Sequence, residues 1–98
     1  MRIFKKTLEF QWNRGNIDKS FKKNKIRDKE AEEPFFDRKR KAFKDELHPK
    51  DKERYRMVGK TKKGRLLFIV FTMRGKKIRI ISARDINKKE VYLYEEKA

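Results

Sequence analysis

GRLLFIVFTM, residues 64–73, decides how the rest of this chain folds. After Arg65 the segment is continuously apolar up to Thr72, rich in β-branched and aromatic residues. Such a run reads as a central strand covered on both faces. On its N-terminal side TKKG, residues 61–64, turns the chain back into ERYRMVG, residues 53–59. There Tyr55 and Met57 face one way, Arg54 and Arg56 the other. On its C-terminal side Arg74-Gly75 turns the chain into a third strand over 77–83. Strands joined by turns this short must be antiparallel.

The flanking segments complete the outline. TLEFQW, residues 7–12, alternates Leu8, Phe10 and Trp12 and reads as a first strand. Asn13 then stands in an N-cap position for a helix over 13–24, with Ile17, Phe21 and Asn24 at helical spacing. DKEAEEPFF, residues 28–36, is a second short helix capped by Asp28, with acids in its first turn and Pro34 ending it. KRKAFKDE, residues 39–46, is a poor edge strand whose charges discourage further pairing. NKKEVYLYEEK, residues 87–97, is a closing helix with Asn87 as cap and Glu90 imitating a capping box. The expected fold is a single α+β domain over residues 1–98: an N-terminal strand and two helices, an antiparallel meander, and a C-terminal helix.

Composition narrows function. Of 98 residues, 47% are charged and only 36% hydrophobic, with a formal net charge of +16. One modest core is affordable at that length, and much of the basic charge stays in water. A positive excess of this size favours polyanions, with nucleic acid ahead of an anionic membrane or an acidic protein. Segment 28–37 is the acidic exception between two basic blocks. No stretch has the apolar length of a membrane span, and MRIFKKTLEF is too short and too charged for a signal peptide. The absence of cysteine excludes a disulfide framework, a thiol nucleophile and a cysteine zinc site. With one histidine and no glycine-rich phosphate loop, neither a metal nor another cofactor is called for. A cytoplasmic protein is the expectation.

One polar constellation survives these exclusions: His48, Arg54, Arg56, Arg79, Ser82 and Arg84. The middle of KIRIISAR raises the sharpest question, because Arg79 interrupts an otherwise apolar strand. On the residues alone it either grips a phosphate, lies on a solvated sheet face, or pairs with a carboxylate such as Glu53. Arginine suits phosphate because it stays charged and offers paired donors. His48 has the side chain whose ordinary pKa suits proton transfer near neutrality. Lys62, Lys63, Lys76 and Lys77 sit on hairpin turns, where they steer RNA without reading it, and Lys23 adds to that basic surface. Tyr92 and Tyr94 either stack on bases or belong to the core.

From Asp45 onward the pattern D-x-x-H…ERY-x-x-x-G…GRLL…T-x-R-G…IRIISAR…E-x-x-x-Y resembles the BrnT family of bacterial toxins, ribonucleases with a RelE-like fold. EFQWN is similar to the family's E-W-D opening, and Ala31, Phe36 and Asp37 fit its second helix. The resemblance covers nearly the whole chain. It implies a metal-independent endoribonuclease that stops translation, with His48, Arg54, Arg79 and Arg84 as catalytic residues. Lys23, Arg56, Lys62, Lys63, Lys76, Lys77 and Ser82 would then contact RNA. It also implies a BrnA-like ribbon-helix-helix antitoxin whose complex with the toxin binds operator DNA. One departure stands out: the family's Lys-His-Gly at the end of the first helix reads Lys23-Asn24-Lys25 here. A histidine acting there in proton transfer would be missed. The competing expectation, from a different class, is a non-catalytic basic nucleic-acid-binding or protein-interaction module.

Overall fold

The computed structural model describes residues 8–45 and 53–95. Five strands form one mixed sheet in the order β1-β5-β4-β3-β2. They are β1 (Glu9–Phe10), β2 (Lys41–Lys44), β3 (Arg54–Lys60), β4 (Leu66–Arg74) and β5 (Lys77–Asp85). The meander β3-β4-β5 is antiparallel as expected, and β2 is an edge strand. The strand the sequence does not orient is β1, which pairs parallel to β5 through Glu9↔Lys77 and Phe10↔Ile78. Gly64 and Gly75 take positive φ in the two hairpin turns, a conformation that other residues adopt only under strain.

Helices cover one face. They are α1 (Lys19–Asn24) and α2 (Asp28–Glu32), the latter running into a 3-10 turn over Glu33–Phe36. Ile26, Ala31 and Phe35 from this layer are fully buried against Met57, Leu67, Ile69, Phe71, Ile78 and Ala83 of the sheet. Phe35 anchors the interface, meeting Phe10 and Phe71 edge-on at centroid distances of 5.2 and 5.1 Å. Trp12 donates its indole N–H to Glu32 at 2.7 Å, tying β1 to α2.

Two helical expectations need correction, and a third holds in part. The first helix begins at Lys19, not after Asn13, because Asn13 organises a tight turn: its backbone carbonyl accepts from the amides of Asn16 and Ile17. Asp28 opens α2 without capping it; its carboxylate accepts the Asp18 amide, while Arg27 occupies the cap position. The α-helix ends at Glu32, ahead of Pro34 as expected, but the chain continues into the 3-10 turn, where Pro34 lies near the start and its missing N–H costs nothing. The Asn87–Glu90 capping box forms as expected, ahead of α3 (Val91–Glu95).

A β-bulge sets the second face. Val70 pairs with Ser82 but Phe71 pairs with Ile80, leaving Ile81 as an extra residue in β5. Strict alternation would put Arg79 and Arg84, five positions apart, on opposite faces. The bulge resets the alternation, so both lie opposite the core while Ile80 and Ala83 stay in it. Coverage of this face is uneven. Val58 and Phe68 are buried at the end where α3 packs against β3, whereas Val70 and Thr72 are only half-buried.

Candidate functional site

The face opposite the core carries Arg54, Arg56, Arg79, Ser82 and Arg84, and register fixes their order. Arg54 of β3, Thr72 of β4 and Arg79 of β5 form one cross-strand row. Arg56, Val70 and Ser82 form the next, with Phe43 of β2 beside Arg56. Two guanidinium groups therefore flank a threonine hydroxyl on three adjacent strands, a rigid platform of the kind precise sites use. The Thr72 Oγ1 is buried and has no hydrogen-bond partner among the described residues, and neither has Arg56 Nε. A buried hydroxyl without a partner is costly unless something outside the chain supplies one.

Each arginine is held differently. Arg54 Nε donates to Asp45 Oδ2 at 3.0 Å, and Asp45 is almost fully buried. Arg56 lies 3.8 Å from the other Asp45 oxygen, too far for a hydrogen bond, with its guanidinium over the Phe43 ring at 5.1 Å. Arg79 is held by neutral groups. Its Nη1 donates to Asn13 Oδ1 at 3.0 Å, Asn16 Oδ1 at 3.3 Å and Gln11 Oε1 at 3.4 Å. Among the described residues no carboxylate, Glu53 included, pairs with Arg79. Its charge is fixed in place without being neutralised.

Arg84 is held by a carboxylate. It stands on the same face but is committed to Glu90, Nη1 to Oε1 at 2.8 Å and Nη2 to Oε2 at 2.6 Å, with its guanidinium over Phe68 at 4.3 Å. The Glu90 hydrogen bonds raise the Arg84 pKa, and Arg84 holds the Glu90 carboxyl below its usual range. A paired, two-toothed grip of this kind leaves little of the guanidinium for a phosphate. Arg84 fastens the C-terminal helix.

The remaining expected residues divide by position. Ser82 lies opposite Val70 on the site face. Lys76 and Lys77 are exposed at the β4–β5 hairpin, the end that holds Arg54 and Arg79. Lys62 and Lys63 are exposed in the turn at the opposite end, just beyond Lys60, which is six strand positions and on the order of 20 Å from Arg54. Lys23 is exposed on α1. His48 lies outside the described residues. Tyr94 belongs to a structural contact, donating its hydroxyl to Asp37 at 2.7 Å, while Tyr92 is exposed.

The sequence reading missed the groups that hold β5. Beyond the two residues of β1, side chains take over the ladder. Asn16 Nδ2 donates to Ile80 O at 2.9 Å, Ser20 Oγ accepts from Ala83 N at 2.9 Å, and Asn24 Nδ2 donates to Ala83 O at 3.0 Å. Asn24, which stands where the resemblance expects histidine, is thus a strand partner. Arg65 likewise links layers: it binds Asp85 in paired fashion at 2.6 and 3.0 Å, and Glu30 of α2 at 3.3 Å.

A family model described as the ribonuclease toxin BrnT of type II toxin–antitoxin systems matches residues 12–90. The chain belongs to the BrnT family. No curated protein matches it. As a BrnT-family member it is a ribonuclease toxin of a type II system, the class that has RNA as substrate and a protein antitoxin as partner. Among its described residues no helix is long and apolar enough to cross a membrane.

Proposed function

We propose that this BrnT-family chain is a RelE-like endoribonuclease that cleaves RNA by attack of the RNA's own 2′-hydroxyl, without a metal ion, and so halts translation in the cytoplasm. The observation that carries this reading is Arg79, whose guanidinium is anchored at Nη1 by three neutral amides. Its Nη2 and Nε make no hydrogen bond to the described residues. In this assignment Arg79 and Arg54 grip the non-bridging oxygens of the scissile phosphate. The 2′-oxygen loses its proton and attacks phosphorus, and negative charge grows on the phosphorane. The 5′-oxygen then leaves with a proton, giving a 2′,3′-cyclic phosphate and a 5′-hydroxyl. Fixed charge aimed at the phosphorane is commonly the largest catalytic contribution. His48 takes the proton-transfer role from the family resemblance. Arg56 and Ser82 line the adjoining RNA track.

The partner we assign is a BrnA-like ribbon-helix-helix antitoxin, acidic where it meets this chain and covering the Arg54–Arg79 row. Occupying that row would block RNA without reshaping the fold. The complex of the two would bind operator DNA.

The test is incubation of purified chain with RNA in EDTA, followed by end-group analysis. Fragments ending in 2′,3′-cyclic phosphate or 3′-phosphate support the assignment, and addition of antitoxin should suppress them. RNA recovered bound but intact would favour the non-catalytic binding module instead.

A further inference from the structure

β2 brings an aromatic ring to the arginine face. Ala42 packs against the core, so its neighbour Phe43 points the other way, beside its cross-strand partner Arg56. Edge strands are commonly blunted by charge, as Lys41 and Lys44 do here, and a ring turned away from the core departs from that rule. Phe43 is half-buried. The Arg56 guanidinium stands over the ring at 5.1 Å from its centroid, beyond the ~3.5–4 Å of atoms in contact, so the ring face is not closed. Arg56 itself is steered and not committed. Asp45 lies 3.8 Å from its Nε, and Arg56 makes no hydrogen bond to the described residues. Arg84, over Phe68 on the same face, gives its donors to Glu90 instead.

Distance to the phosphate row decides what this pair can hold. The Asp45 amide donates to Arg54 O, so Phe43 lies one strand across from Arg54 and one row along. At ordinary strand spacings that is roughly 8 Å. A base hangs about this far from the phosphate of its own nucleotide. We propose that Phe43 and Arg56 form a nucleobase subsite for one of the two nucleotides flanking the scissile phosphate; this rests on the phosphate-binding role proposed for Arg54 and Arg79. The base stacks on the ring and the guanidinium together. Two arginines border the ring, a setting that suits a flat apolar group joined to a phosphate. Every base has a π-face, so the subsite fixes where the strand lies without reading its sequence.

The test is single-turnover cleavage of three RNAs. One is unmodified; in the other two, the nucleotide on one or the other side of the cleaved bond is a ribose without a base. The parent should cleave one of these two about tenfold more slowly, the scale of a single base stack. Phe43→Leu should lose about the same factor on unmodified RNA and nothing further on that baseless RNA, since ring and base act as one pair. Phe43→Tyr should recover most of the loss, because a flat ring can stack. Leucine keeps most of the apolar surface, so the melting temperature should change little, and rates are corrected for the folded fraction. The outcomes distinguish the two claims. If Phe43→Leu cleaves unmodified RNA as the parent does, or if its loss multiplies with that of the missing base, the subsite is overturned. The phosphate role then stands so long as Arg79→Ala is impaired. If Arg79→Ala cleaves normally, the phosphate role falls and the subsite with it.

Discussion

Arg84 and Glu90 face each other through two hydrogen bonds of 2.8 and 2.6 Å, and the same carboxylate accepts the Asn87 amide at 3.1 Å. One glutamate thus closes the capping box and binds the strand that precedes it. Arg84→Ala should therefore act on stability. The pair is partly exposed, so its loss is worth about 1 kcal/mol, with another ~0.5–1 kcal/mol from the contact over Phe68. A fall in melting temperature of roughly 4–8 °C per kcal/mol follows for a domain of this size. Cleavage per folded molecule should be unchanged, which thermal unfolding and single-turnover assays on one preparation will check.

Acid should unfold the chain through identifiable carboxylates. Burial pushes Asp37 up, but the Lys60 and Lys39 amides and the Tyr94 hydroxyl outweigh it and leave its pKa lowered. Hydrogen bonds from Arg65 lower Asp85 in the same direction, and those from Arg84 lower Glu90. A depressed folded-state pKa adds stability above the unfolded value, near 4, and loses it as pH falls through the folded value. Stability should thus be flat near neutrality and decline below about pH 4. Asp37→Asn should lower the plateau and flatten that decline. At the alkaline end Tyr94 is pushed up to about 12, by burial first and then by Asp37. Its contribution should fade between about 10 and 12. Urea melts across pH in parent and variant give both limbs.

Lys25 ends α1 with φ of +60°, in the left-handed region where a side chain is strained. Its amide and that of Ile26 bond back to Phe21 and Ser20 carbonyls, the usual way to close a helix. Glycine suits that position better, and the family pattern has glycine there. Lys25→Gly should stabilise the fold by up to about 1 kcal/mol, the strain relieved less the backbone entropy glycine loses. Its charge lies outside the arginine row, so cleavage should stay within about twofold, the scale on which surface changes away from a site register.

The meander was legible because GRLLFIVFTM is too apolar to lie anywhere but the centre, and hairpins with short turns leave one topology. The pairing of Phe10 with Ile78 was not, since nothing local encodes a contact between residues so far apart. Asn13 misled because the same side chain that caps a helix also closes a tight turn. Arg54, Arg56, Arg79 and Arg84 were all singled out as exceptions to apolar alternation, a test that could not tell that Arg84 is bound by Glu90. The bulge at Ile81 decides which face Arg84 takes, and no residue in IRIISAR announces it. The amides at 11, 13 and 16 left a faint signal, three carboxamides in six residues, readable only once β1 lies beside β5.

The two lysine clusters should differ. Lys76 and Lys77 lie at the Arg54–Arg79 end of the sheet, Lys62 and Lys63 at the other. Charge reversal at 76 and 77 should weaken binding of a short RNA and reduce its salt slope by roughly the number of phosphates lost. The same change at 62 and 63 should have a smaller effect on a short RNA and approach the first on a long one. Binding titrations at several salt concentrations with both lengths will read this.

The central claim is that Arg79 acts on the phosphate and not on the fold. Single-turnover cleavage by Arg79→Ala, corrected for the folded fraction and set beside its melting temperature, tests it most directly. The expected result is a loss of ~10²–10³-fold with a small thermal shift, because Asn13 is exposed and the buried Asn16 Oδ1 still accepts the Asn13 amide. Arg79→Lys should recover only part, since an ammonium cannot supply a paired grip. A variant that melts far below the parent yet cleaves at the parental rate once folded would contradict the claim and make Arg79 a structural residue.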